Sequence, residues 1–252
     1  MRRSIFGTRF MVIATAVAAV GSVLAPVSAA SAAIASYSAS YVTLGSGNTA
    51  LQRWNPCQLI TYKVNLAAVP TASRTVILAE THAAIRVLAA KTGFVYVYRG
   101  PTAEVPRLGS SAKQTAELIV AYTTPALTNY NLAGTTAAEG GTSTSSWSTS
   151  NGTTTTYASA ITRGFVVVNT PSLLRYFQPG FGTGVRRGNL LLHELGHSVG
   201  LKHVSNIHLA MNPTLTAASP NGYAVGDVAG LAAVGKSGGC ITIPTFVAAD
   251  FN

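Results

Sequence analysis

The chain has 252 residues and a formal net charge of +10, although only 10% of its residues are charged. That length is ample for one domain with its own core and tight for two. The basic residues are scattered, with no run longer than Arg186-Arg187 and no interleaved basic and aromatic motif, so the charge points to an ordinary soluble surface and not to nucleic acid.

In chain order, Arg2, Arg3 and Arg9 precede the apolar run FMVIATAVAAVGSVLA, which Pro26 and the small residues AASAA follow. This is the three-part layout of a secretory signal peptide over 1–32, with cleavage expected after Ala32. An uncleaved anchor is the alternative, but the apolar run is short for a span of about 20 residues. Residues 33–52 are expected as an N-terminal tail and 53–252 as the folded domain. Cys57 and Cys240 are the only cysteines, and in an exported chain they are expected to pair. Closing a loop of that length stabilises the fold by roughly 5 kcal/mol at most in the chain-entropy model.

ITYKVN at 60–65 alternates like a strand. From Ser73 to Lys91, Val76, Leu78, Ala83, Val87 and Leu88 recur at helical spacing, with Ser73 as the cap and Gly93 as the stop. FVYVY at 94–98, AELIVAYT at 116–123 and ITRGFVVVN at 161–169 read as strands rich in β-branched and aromatic residues. Residues 141–156 are dense in Gly, Ser and Thr and read as a flexible loop, in which Asn151-Gly152-Thr153 fits a glycosylation acceptor. There is no internal repeat.

The segment HELGHSVGLKH, residues 193–203, sets His193, Glu194, His197, Gly200 and His203 at the spacing H-E-x-x-H-x-x-G-x-x-H. On a helix His193 and His197 lie about 40° apart and one turn along the axis, so both rings leave the same face. Glu194 lies about 100° from His193, better placed to touch a water on a metal than to bind it. Leu192, Leu195 and Val199 fall on the far side, where they can anchor the helix. Gly200 can reach positive φ, which lets the chain turn back and bring His203 into a three-nitrogen site. Zinc with an open fourth position fits that donor set. No Glu follows Glu194, and neither Asp227 nor Asp250 is placed to compete with His203 as the third ligand.

The segment resembles the signature of the metzincin zinc metallopeptidases, most of all the matrixin branch. HLAMNPTL places Met211 eight residues after His203, a spacing similar to the methionine turn of that family, and GYAVGDVAGLAAVG resembles the entry to its last helix, with Asp227 as cap. The resemblance implies an α+β domain: a twisted mixed sheet with a long helix, an active-site helix and a C-terminal helix. It implies a secreted endopeptidase in which Glu194 is general base for water activated by one zinc ion on His193, His197 and His203. It also implies that LAGTTAAEGG supplies an edge strand for an extended substrate. Pro213 stands where some metzincins carry a zinc-facing Tyr, and WNPCQ around Cys57 does not resemble the latency switch of some matrixins.

His82 and His208 are not expected as ligands, and too few His and Asp remain for a second zinc or calcium. The expected partner is a protein or peptide substrate, with no nucleic acid, no membrane once the leader is removed, and a monomeric state. The alternative is an exported zinc-binding protein that engages a surface or partner without cutting.

Overall fold

A computed structural model describes residues 36–109 and 114–251. The signal peptide expected over 1–32 lies outside the described residues. Four short or medium strands open the chain: β1 (Ser38–Ala39), β2 (Tyr41–Leu44), β3 (Asn48–Leu51) and β4 (Leu59–Asn65). Helix α1 (Thr71–Thr92) follows, then β5 (Val95–Pro101), β6 (Leu118–Thr123), β7 (Ala138–Ser150) and β8 (Thr155–Asn169). The second half holds α2 (Thr170–Tyr176), α3 (Arg187–His197), β9 (Leu201–Lys202) and α4 (Val225–Val234). This is a mixed α+β architecture.

The main sheet has the order β5-β4-β6-β8-β7. Its first four strands run parallel and β7 pairs antiparallel with β8. Every residue of β6 is buried, as a central strand covered on both faces requires. The alternation of β6 and β8 divides the core. Leu118, Val120, Tyr122, Val166 and Val168 face α1 and α3, while Ile119, Ala121, Phe165 and Val167 face a smaller cluster with Tyr130 and Leu132.

Several boundaries differ from the sequence expectation. Helix α1 begins two residues before Ser73, whose N–H donates to the Pro70 carbonyl; Pro70, with its fixed φ, sets the helix start and Ser73 is not the cap. Gly93 does end the helix, in the left-handed conformation at φ +73°. Residues 141–156 are not a loop. They form most of β7, the turn and the start of β8 in a long hairpin whose tip is Asn151–Thr154. Hydroxyl pairs replace apolar contacts along it, with Ser146 Oγ 2.8 Å from Ser159 Oγ and Thr149 Oγ1 2.7 Å from Thr156 Oγ1. Ser and Thr there satisfy one another across the strands, which composition alone does not distinguish from a flexible segment.

Residues 36–52, in the expected tail, carry β1, β2 and β3. Strand β1 pairs with β9, immediately before His203. Cys57 and Cys240 form a disulfide with Cα atoms 5.5 Å apart, joining the approach to β4 to the loop after α4. Arg187 at the start of α3 and Glu80 of α1 form a buried ion pair of 3.0 Å, and Glu80 also accepts from the Gly180 N–H at 2.7 Å. The two helices are thereby tied where α3 begins. Among the described residues no helix is long and apolar enough to cross a membrane.

Candidate metal centre

Helix α3 carries two of the three histidines on one face. Leu191, Leu192, Leu195 and Val199 are almost fully buried behind it, so the helix is fixed against the sheet by apolar packing. The helix ends at His197, with Ser198 as C-cap. Gly200, at φ +100°, then reverses the chain; a Cβ there would lie 2.4 Å from the Gln52 carbonyl oxygen. The Trp54 indole N–H donates to the Ser198 carbonyl at 2.8 Å, and the Ser40 N–H donates to the Gly200 carbonyl at 2.8 Å. The segment before β4 thus closes the turn that returns His203 to α3.

The Nε2 atoms of His193, His197 and His203 lie 3.0–3.1 Å from one another. These are the residues among the described ones that form a group able to hold a metal ion. His193 Nδ1 is 2.7 Å from the Ala210 carbonyl oxygen and His197 Nδ1 is 2.8 Å from the Leu201 carbonyl oxygen. A carbonyl oxygen can only accept, so each Nδ1 carries the proton and each Nε2 presents a lone pair. Lone pairs at such separations repel unless a proton or a cation lies between them. A tetrahedral ion with metal–nitrogen bonds of about 2.0–2.1 Å needs its nitrogens roughly 3.3 Å apart, so the donor set fits one.

The support beneath this face comes from Asp227. The sequence places it at the start of α4, but Ala224 is the N-cap and Asp227 sits at the third helical position, reaching back to the Ala224 N–H at 2.9 Å. The same carboxylate accepts from the Ala210 N–H at 2.7 Å and the Met211 N–H at 3.1 Å. It therefore fixes the peptide units whose Ala210 carbonyl orients His193. Met211 is buried, and its carbonyl accepts from the Val204 N–H at 3.0 Å, directly after His203. Gly196, between the two helical histidines, leaves room for this turn: a Cβ there would meet Met211 Sδ at 2.3 Å.

The histidines border a cleft of about 620 Å³. Glu194, Glu139 and Gly140 line it, as do Leu190, Pro213 and Leu215. Burial pushes the Glu194 carboxyl up to about 8, against the Gly140 N–H that it accepts; the charge of Glu139 adds to the rise. Burial and the neighbouring His197 hold His193 down to about 3, and burial holds His197 down to about 4. Burial makes this carboxylate, once ionised, a stronger proton acceptor than an ordinary one, which suits it to take a proton from water beside three histidines able to hold a cation.

His82 lies apart, with Nδ1 2.7 Å from the Tyr62 hydroxyl, and the exposed His208 is not among the cleft-lining residues. Three contributors escape motif reading: Gly140, Gly196 and Glu139. Gly140 is the tightest, since a Cβ would lie 2.2 Å from the Glu194 carbonyl oxygen. Its signal is a Gly pair inside a strand, a mark of close backbone approach. No protein-family model matches the chain, and no curated protein matches it.

Two outcomes follow from this geometry. Histidines in an unfolded chain titrate near 6.5, whereas His193 and His197 stay neutral in the fold down to about 3 and 4. Over most of the window between pH 6.5 and 4 each of these two imidazoles binds a proton only in the unfolded chain, while the raised Glu194 carboxyl binds one only in the fold, so chelator-treated protein should on balance lose thermal stability as pH falls. The melting temperature of His193→Gln should fall less steeply; parallel slopes for the two proteins would contradict the buried neutral imidazole. Glu194 is common to both proteins. In Asp227→Asn an amide replaces one accepting oxygen, and divalent-metal affinity measured by chelator competition should drop about 10–100-fold, the usual cost of losing a group that orients a ligand.

Proposed function

We propose that this chain is an exported zinc-dependent endopeptidase of the metzincin type, with His193, His197 and His203 as ligands and Glu194 as general base. The observation that carries this is the convergence of three imidazole Nε2 atoms beside a buried carboxylate in a cleft bordered by a sheet edge. Structural zinc sites use four protein ligands, whereas three leave a position open to solvent and substrate.

A divalent ion held here supplies Lewis acidity toward a water molecule and a peptide carbonyl oxygen. Glu194 accepts the proton of the attacking water and delivers it to the nitrogen of the departing amine, so the peptide bond is exchanged for a carboxyl and an amino group. The pairing of Gly140 with Glu194 keeps the carboxylate beside the substrate path. Strand β7 has no strand on its outer side among the described residues, and an extended peptide can add to that edge through backbone hydrogen bonds that do not dictate sequence. Leu190, Val185, Phe177 and Leu215 form an apolar wall on the α3 side that suits one substrate side chain. Met211 shapes the floor and takes no part in the chemistry. The leader expected over 1–32 and the Cys57–Cys240 disulfide support this reading of export to an oxidising compartment.

Glu194→Ala should retain one equivalent of zinc while kcat/KM on a mixed peptide library falls by about 10²–10⁴-fold, the usual contribution of a positioned base. Unchanged turnover in that variant would show that another group takes the proton. Stoichiometric zinc in the wild type with no cleavage anywhere in the library would leave a non-catalytic zinc protein.

A further inference from the structure

The proposed chemistry uses one of the two carboxylates in the cleft. Glu139 is the other, and its place on β7 gives it a separate role. Side chains alternate along that strand: Ala138 belongs to the apolar layer shared with α1 and α3, and a Cβ on Gly140 would strike the Glu194 backbone. Glu139 therefore projects from the opposite face. There it accepts a hydrogen bond from the Asn131 N–H, and its charge is felt by Tyr130.

The cleft has an unusual balance for this chain. The protein carries 17 Lys and Arg against 7 Asp and Glu, yet the cleft lining holds Glu139 and Glu194 and no Lys or Arg. Among the described residues no cation lies within ion-pair distance of Glu139, and Glu139 is half-buried. A partly desolvated carboxylate without a counter-charge attracts a cation that a ligand brings to it.

A peptide added to β7 also alternates. The residue that enters the apolar wall beside Leu190 faces α3, so its neighbour in sequence falls on the face of Glu139. We propose that Glu139 selects an Arg or Lys side chain on the substrate residue across from it, adjacent to the residue that enters the apolar wall. This inference rests on the peptidase activity proposed above. Arg is the better partner, because its planar fork matches a carboxylate.

The test compares paired peptides carrying arginine or its neutral isostere citrulline, scanned through the positions flanking a cleavage site, with the zinc-loaded protein. The arginine-to-citrulline ratio of kcat/KM should be about ten at one position next to the apolar-wall residue, and should decline at high salt as a cleft-edge charge requires. Glu139→Gln keeps an oxygen for the Asn131 N–H, and in it the ratio should fall to about one. Glu139→Lys should reverse the preference, favouring Glu over Gln at that position. Zinc content and near-ultraviolet circular dichroism confirm that each variant is folded. A wild-type ratio near one, or a ratio unchanged in Glu139→Gln, overturns the assignment while leaving the peptidase intact. Failure of the zinc-loaded wild type to cleave any peptide overturns both.

Discussion

Three imidazole Nε2 atoms are held 3.0–3.1 Å apart, and backbone carbonyls hold two of the rings in the tautomer that turns a lone pair inward. Ala210 and Leu201 accept from Nδ1 of His193 and His197, which turns both Nε2 atoms toward the same point. Burial keeps these two rings neutral, since charging them side by side in a desolvated cleft is unfavourable. Packing alone does not account for three imidazole Nε2 atoms facing one another, two of them as acceptors. A bound cation removes the repulsion and satisfies all three, so the surrounding structure is best understood as support for that convergence.

The support is distributed over the chain. Asp227 on α4 holds the Ala210 and Met211 N–H groups, Met211 holds Val204, and Gly196 admits the Met211 side chain beneath the helix. On the other side, Trp54 and Ser40 fasten the turn around Gly200, while the Glu80–Arg187 pair anchors the start of α3. The three histidines are thereby placed by groups drawn from distant parts of the chain, and the Cys57–Cys240 disulfide joins two of the contributing regions.

Much of this is legible in the sequence alone, for reasons tied to particular residues. His193 and His197 are fixed by helical geometry, and the β-branched runs of β6 and β8 identify buried strands. Gly200 and Gly93 mark reversals because only positive φ fits there. The rest depends on contacts between distant segments. Asp227 looks like a simple cap from its neighbours, and its bonds to Ala210 and Met211 appear only when the loop folds over α4. The Ser and Thr of β7 and β8 resemble a linker because their mutual hydroxyl bonds have no compositional signature. Residues 36–52 carry no strong strand pattern, and β1 is set by its pairing with β9. Glu139 is one acid in a plain sequence context, given meaning by the sheet edge on which it stands.

X-ray absorption at the zinc edge, on protein reconstituted with one equivalent of metal, addresses the convergence of the three rings most directly. Three imidazole nitrogens at about 2.0–2.1 Å with one further light ligand from solvent are expected. Protein that takes up no zinc, or a coordination shell with only two imidazoles, would show that His203 does not join His193 and His197 on a common ion.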